Sequence, residues 1–576
     1  MTKYLSLITI FFFQSFICLG QSDLTEFIGG WKGELKDPES FHLTVNIDQI
    51  DPNRYSLRIS NQMKEVFSSD FGTDNNQFRV AIDKQVSIYG TLDESMSVYT
   101  LFIKSGLLIY HIPIQKTGKG VYEGAWNIWM VKALSPPVVY LSVEEGGPGQ
   151  LVAFPIFDDQ RFTGTWAYNF KHNGNHLLFE DFKTGLSFDA SLSTEQIDLT
   201  IKFAGTTLTH LRLEPYEGSF PQSPLYQETS SHYKIPQKMN DGWLVNSLDN
   251  AGIKPAPLRQ MTDSIKAEAL INTHSVLIAK DGELVYEKYF AGFDVSTPHD
   301  QRSASKSISS AVIGIAVDEG LFKSTAQNLH EFLPNKYAQV IQSDERKSKI
   351  DLHSLLTMSS GLDAIDFGIT RNSVASEGNY QQSPNWLKTV IDAPMIHEPS
   401  THTYYGSANP FLLGVALRSV TNEPVEYFMD KHLLRPLAIS NYILQGDDTK
   451  SPYFGGGMYL QPRDMLKFGQ LYLNNGIWKR KRIISKEWIQ QSFKKHTTLE
   501  NTDDQSEYGY LWWHHTYKVN GREITAIEAR GAGGQYISIL PDLNTVVVIT
   551  SGNFNNGRFW QPELIIEDYI LRAIVE

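Results

Sequence analysis

Residues 21 to 218 alternate apolar and polar positions in short runs, FHLTVNI, RYSLRIS, SVYTLFI, LLIYHIPI, HLLFEDF and IDLTIKF, separated by clusters of Asp, Asn, Gly and Pro. A period of two buries one face of each run, so this half is predicted to be β-rich, a barrel or a sandwich. An aromatic-x-Gly-x-Trp pattern occurs at Phe27 to Trp31, Tyr122 to Trp126 and Phe162 to Trp166. Its spacings are unequal, so tryptophans filling a β core is the plainer reading, with two small β modules as the alternative. Residues 219–240 are polar, contain proline and follow no period, which reads as a linker.

The pattern changes after the linker. SVLIAKDGELVYEKYF predicts a hairpin turning at Asp281-Gly282, and QYISILPDLNTVVVITS a second one around Pro541-Asp542. Between them lies SASKSISSAVIGIAVDEG, in which Ile308, Val312, Ile315 and Ala316 recur at helical spacing and Gly320 supplies a stop. PELIIEDYILRAIVE closes the chain as an amphipathic helix. The second half is therefore α/β, with a sheet drawn from both ends of residues 241–576 and a helical insertion, and the whole chain is multidomain.

Composition narrows the chemistry. The chain has 576 residues, enough for two or three domains, and a 41% hydrophobic content that is ample for their cores. A net charge of -13 without a basic run argues against nonspecific nucleic-acid binding. MTKYLSLITIFFFQSFICLG joins Lys3 to an apolar stretch ending in small residues, and reads as a secretory leader cleaved after Gly20, with an uncleaved anchor as the alternative. Secretion or a periplasmic location follows. Cys18, the only cysteine, lies in this leader, and Ile17 before it is too large for a lipoprotein signal. The mature chain then has no cysteine, which removes disulfides, thiol nucleophiles and Cys-ligated zinc. No later stretch is long and apolar enough to span a bilayer, and no P-loop or dinucleotide fingerprint is present, so neither a membrane span nor a cofactor is expected. Nothing in the sequence specifies an oligomeric state.

Ser-x-x-Lys occurs three times, at Ser303 to Lys306, Ser231 to Lys234 and Ser492 to Lys495. Three residues on a helix place serine and lysine one turn apart, where a lysine kept neutral by burial or nearby positive charge can activate the hydroxyl. Only Ser303 stands at a helix start, whose free N–H groups and dipole favour an oxyanion. Ser231 precedes Ile235-Pro236 in a connector, and Ser492 lies near the end of SKEWIQQSFKKH, where the dipole opposes a developing anion.

From about residue 240 to 576 the chain resembles the class C β-lactamase-related serine hydrolases, which include penicillin-binding peptidases, esterases and 6-aminohexanoate-oligomer amidases. The resemblance rests on motifs in order: LVYEKYFAG, RSASKSISSAVIGIAVDEG, DLHSLLTMSSGLD, TYYGSANPFLLGVAL, GGGMYLQPRDMLKFG and ARGAGGQYISILP. It implies an antiparallel sheet flanked by helices, with Ser303 as nucleophile and Lys306 and Tyr405 as proton-transfer groups. The Tyr405-Gly406-Ser407 triplet matches the family's Tyr-x-Ser element, and its distance to Leu412-Leu413-Gly414 fits the family's run into the next helix, which favours Tyr405 over Tyr404. The family's Lys-Thr-Gly or His-x-Gly element aligns by its glycines with Ala529-Arg530-Gly531, so the usual cation is missing at 529. The backbone amides of Ser303 and Ala532 would form the oxyanion hole. Ser407, Arg530, Gly531 and Gln535 become substrate-binding candidates, although strand alternation points residue 530 away from the face of 529.

Other features carry less. Lys116-Thr117-Gly118 and Lys183-Thr184-Gly185 fall before Ser303 and read as hairpin turns. His402 reads as a surface or packed side chain, and His514-His515 lacks the spacing of a zinc pair. Tyr508, Tyr510, Trp512 and Trp513 read either as a substrate wall or as core. The resemblance implies a serine hydrolase that cleaves a small-molecule or peptide-like ester or amide through an acyl-enzyme. The rivals are a weakly active penicillin-binding-like sensor and a glycan- or lipid-binding protein acting through its β-rich half.

Overall fold

The computed structural model describes residues 24–62, 64–92, 99–128, 138–147, 150–157, 167–173, 175–193, 195–218, 229–554 and 556–575. The leader at 1–20, the Phe162 to Trp166 pattern and residues 219–228 of the connector lie outside them. The chain divides after Ser223 into two compact units.

The first unit is built from antiparallel β-sheet. One sheet orders eight strands from Gln150–Phe157 through Val138–Gly147, Gly29–Glu34, Thr206–Pro215 and Ile197–Phe203 to Ala167–Asn173. A second set runs from Gln77–Ala81 through Leu108–Gly118, Val121–Asn127 and His42–Asp51 to Glu65–Gly72. Its two end strands are joined by a turn closed at Asp74 and Gln77, which makes this sheet nearly closed and barrel-like. The period of two is visible in the burial: Leu43, Val45 and Ile47 are inside and their neighbours are not. Trp31 and Trp126 are both in the core, Trp126 edge-on to Tyr110 and Phe203, so the two described copies of the aromatic pattern fill the interior. Lys116-Thr117-Gly118 ends a strand at a hairpin, and Lys183-Thr184-Gly185 connects His176–Asp181 to Ser187–Leu192.

The second unit centres on a nine-stranded sheet. Its middle runs Glu283–Tyr289, Thr273–Lys280, Thr545–Ser551, Gln535–Leu540, Arg522–Gly531 and Trp513–Val519, each antiparallel to the next. Both expected hairpins are present; Asp281 (φ 53°) and Gly282 (φ 83°) form the tight turn of the first. Helix Pro255–Lys266 and the C-terminal helical segment from Gln561 cover one face, where Leu258, Met261, Ile566 and Ile570 join Val276, Ile278, Val547 and Ile549 in one cluster. Helix Pro462–Leu473 lies on the other face. There Gly469 permits the contact, because a Cβ would come 2.5 Å from Val546 Cγ1. With both faces covered, strands Gln535–Leu540 and Thr545–Ser551 are buried at every position, their polar side chains included. Among the described residues no helix is long and apolar enough to cross a membrane.

Candidate active site

The site begins at a strained turn. Arg302, at φ 46°, opens the 3-10 turn Arg302–Ala304, and its left-handed backbone costs roughly 1 kcal/mol for a side chain of this kind. Asp300 holds the turn by accepting from Arg302 N–H at 3.0 Å and pairing with its guanidinium at 3.2 Å. The turn places Ser303, only partly buried, just ahead of helix Ser305–Asp318, whose residues Ser305 to Ala316 are buried on every side. Glu319 and Gly320 (φ 74°) end the helix where the sequence places its stop.

Lys306 Nζ donates to Ser303 Oγ at 2.8 Å and also to the carbonyl of Gly455, in the GGGMYLQPRDMLKFG motif. The ammonium lies 5.1 Å from the centre of the Tyr405 ring, and the Tyr405 hydroxyl interacts with both Ser303 and Lys306. The structure thus gathers Ser303, Lys306 and Tyr405 at one point. Tyr404 points elsewhere, donating to Glu500 at 3.0 Å, and the exposed His402 pairs with the same carboxylate. Ser231 sits in a connector outside any helix, and Ser492 is buried near the C-terminus of helix Lys486–Phe493.

Two acidic residues that no motif marks complete the site. Asp366 accepts from Ser407 N–H at 2.8 Å and from Ser407 Oγ at 2.6 Å, and Glu377 accepts from the Tyr453 hydroxyl at 2.6 Å. Both lie close enough to act electrostatically on Lys306. Burial pushes the Lys306 pKa down, but Tyr405, Glu377 and Asp366 push it up and prevail, so the amine stays above its ordinary value. The resting amine is therefore held protonated, because nearby negative charge outweighs the effect of burial. Burial raises Tyr405, only partly opposed by Lys306 and Ser303, and raises Asp366 to about 6, with Glu377 adding to the effect.

The third wall is the strand end at Gly531. A Cβ there would lie 2.2 Å from the Gln301 carbonyl oxygen and 3.1 Å from Ala304 N, so glycine lets this strand abut the Ser303 turn. Gln535 fixes the next bend: its side-chain amide donates to Ser551 O at 2.5 Å and to Ala532 O at 3.4 Å. The polar atoms of Ser407 and Gln535 are thus engaged by the protein itself. Ala529 is fully buried, whereas Arg530 shares its face with Glu528, pairing with it at 2.6 Å and with Glu563 at 2.9 Å. Its charge is neutralised where it stands. Of the four aromatics considered as a wall, Tyr508, Tyr510 and Trp512 are core, while Trp513 is half-buried and lies 5.2 Å from Tyr405. Phe367, 44% exposed, flanks Tyr405 at 5.3 Å. His514 is buried and the neighbouring His515 packs on Tyr517.

Behind the nucleophile turn, buried His299 Nε2 lies 2.8 Å from His274 Nδ1, while its own Nδ1 faces Asp300 O at 3.2 Å. Burial lowers the His299 pKa to about 4. The unfolded chain takes up this proton near pH 6.5 and the folded chain does not. Stability present above pH 6.5 is therefore lost as pH falls toward 4, by up to about 3 kcal/mol. Denaturant unfolding at pH 7 and pH 5 checks this; His299→Asn should flatten the dependence, and an unchanged slope would contradict it.

A family model described as Beta-lactamase matches residues 258–564. A 6-aminohexanoate-dimer hydrolase of Paenarthrobacter ureafaciens is 23% identical over 308 residues, 50% of this chain and 75% of the relative. Two solved structures are also similar. A penicillin binding protein from Bacillus halodurans is 18% identical, covering 52% of this chain and 96% of its own, with a TM-score of 0.40. EstCE1, a hydrolase with promiscuous acyltransferase activity, is 15% identical, covering 56% and 97%, with a TM-score of 0.43.

Proposed function

Because the chain belongs to the beta-lactamase family of serine hydrolases, we propose that it is a secreted enzyme cleaving an ester or simple amide through an acyl-enzyme on Ser303. The observation that carries this reading is the 2.8 Å hydrogen bond from Lys306 to the Ser303 hydroxyl at a helix start, with Tyr405 beside both.

In this mechanism Ser303 Oγ attacks the substrate carbonyl carbon as its proton passes into the Lys306 and Tyr405 couple. The backbone amides of Ser303 and Ala532 stabilise the oxyanion, each by roughly 3 kcal/mol. Collapse of the intermediate breaks the carbon–oxygen or carbon–nitrogen bond, and the couple returns the proton to the departing atom. Water then repeats the sequence on the acyl ester, releasing the acid and restoring the serine. With Lys306 held protonated and Tyr405 pushed toward its neutral phenol, only the fraction of the couple that has lost a proton can accept one. Turnover accordingly rises with pH.

Substrate class follows from the missing cation. Ala529 offers no charge, and that of Arg530 is shared with Glu528 and Glu563, so a substrate carboxylate finds no free partner there. Phe367 and Trp513 beside Tyr405 favour an uncharged, apolar group. A short-chain aryl ester and a linear amide, set against a chromogenic cephalosporin and a D-Ala-D-Ala peptide, test this with purified protein and with extracellular and periplasmic fractions. Ester or amide turnover well above that of the two carboxylate substrates is expected. The reverse order would overturn the substrate reading, and a burst without steady turnover would favour an acylated sensor.

A further inference from the structure

Asp366 belongs to none of the catalytic motifs, yet it binds the Tyr405-Gly406-Ser407 turn at both ends. Its backbone N–H donates to Tyr405 O at 3.1 Å, and its Oδ2 accepts from the N–H and hydroxyl of Ser407. Its Oδ1 accepts from Glu377 N–H at 2.8 Å, joining the turn to the short helix Glu377–Gln381. Three separate segments therefore meet on one carboxylate. We propose that Asp366, backed by Glu377, is the positioning residue that holds Tyr405 against Ser303 and Lys306 and supplies the negative charge opposite the lysine. This inference rests on the acyl-enzyme reading of Ser303.

The charges facing Lys306 are few. The Tyr405 turn contributes the phenol, the loop contributes Asp366, the short helix contributes Glu377, and Gly455 and Ser303 contribute neutral oxygens. Around the two acids lie Ser407, the Tyr453 hydroxyl on Glu377, and Tyr380 bonded to Tyr453. Arg371, near Asp366 in sequence, is paired with Asp363 at 2.8 Å. The Lys306 ammonium is thus the cation that the acid pair stabilises. Each carboxylate makes that proton harder to remove, and the Asp366 charge also opposes ionisation of Tyr405. The consequence is an alkaline threshold: the acid pair fixes the geometry of the couple and delays the pH at which it becomes a base.

The test follows the second-order rate of labelling by a fluorophosphonate, together with aryl-ester hydrolysis, from pH 5 to 10. Wild type, Asp366→Asn and Glu377→Gln are compared, with Ser303→Ala as the blank. Removing either charge should move the ascending limb of both profiles to lower pH by about one unit. Asp366→Asn should also reach a lower rate at pH 10 than Glu377→Gln, because the single oxygen of an amide cannot accept from both Ser407 and Glu377. Glu377→Gln keeps an acceptor for Tyr453, so it decides the question if Asp366→Asn fails to fold. A folded Glu377→Gln whose limb coincides with wild type, or moves upward, overturns the inference while leaving the Ser303 reading intact. Wild type that is unlabelled at every pH overturns both.

Discussion

Replacing Ser303 with alanine is expected to lower kcat/KM for the best ester substrate by about 10⁴-fold or more and to abolish phosphonate labelling. The residual rate would come from binding and from the backbone amides, which the substitution leaves in place. Stability should change little. Ser303 is only partly buried and its hydroxyl is used by Lys306 and Tyr405 rather than by the core. Hydrolysis rates and labelling on protein of unchanged melting temperature separate chemistry from folding. Full labelling of the variant would remove Ser303 from the mechanism.

The second large effect is expected at Gly406, between Tyr405 and Ser407. A Cβ added there would fall 1.7 Å from the carbonyl oxygen of Ala364. That carbonyl has little room to retreat. Asp363 N–H is bonded to Pro394 O at 2.9 Å, Ala364 N–H to Leu362 O at 2.8 Å, and Asp366 binds the turn itself. Gly406→Ala must therefore displace the turn, and with it the Tyr405 hydroxyl. A misplacement of about 1 Å costs on the order of 100-fold in rate, and overpacking costs about 1–3 kcal/mol in stability. Steady-state kinetics below the melting transition should show kcat falling more than KM rises. Wild-type kinetics with wild-type stability would mean that the turn can move freely.

The features legible in the sequence are those set by local physics. The Asp281-Gly282 hairpin follows from two positive-φ positions, the Ser305–Asp318 helix from apolar spacing and a glycine stop, and the β-rich half from its period of two. Closure of the barrel-like sheet was not legible, because it depends on which strand ends meet. The choice of Tyr405 over Tyr404 came from the family resemblance. Asp366 and Glu377 left no signal, since their importance comes from a fold that carries two distant loops to Lys306. Arg530 reads in sequence as a candidate replacement for the missing cation, on the face opposite to 529, and its pairing with Glu563 from the C-terminal helical segment depends on the fold. Aromatic residues at 508, 510 and 512 could serve as wall or core equally well in sequence, and burial assigns them to the core.

The most direct test of the acyl-enzyme account is intact-mass measurement of protein quenched during turnover of a slow aryl ester, followed by peptide mapping. The account predicts one added acyl group on the peptide carrying Ser303, absent from Ser303→Ala. An acyl group on another residue, or turnover of a slowly deacylating ester with no adduct at any quench time, would contradict it.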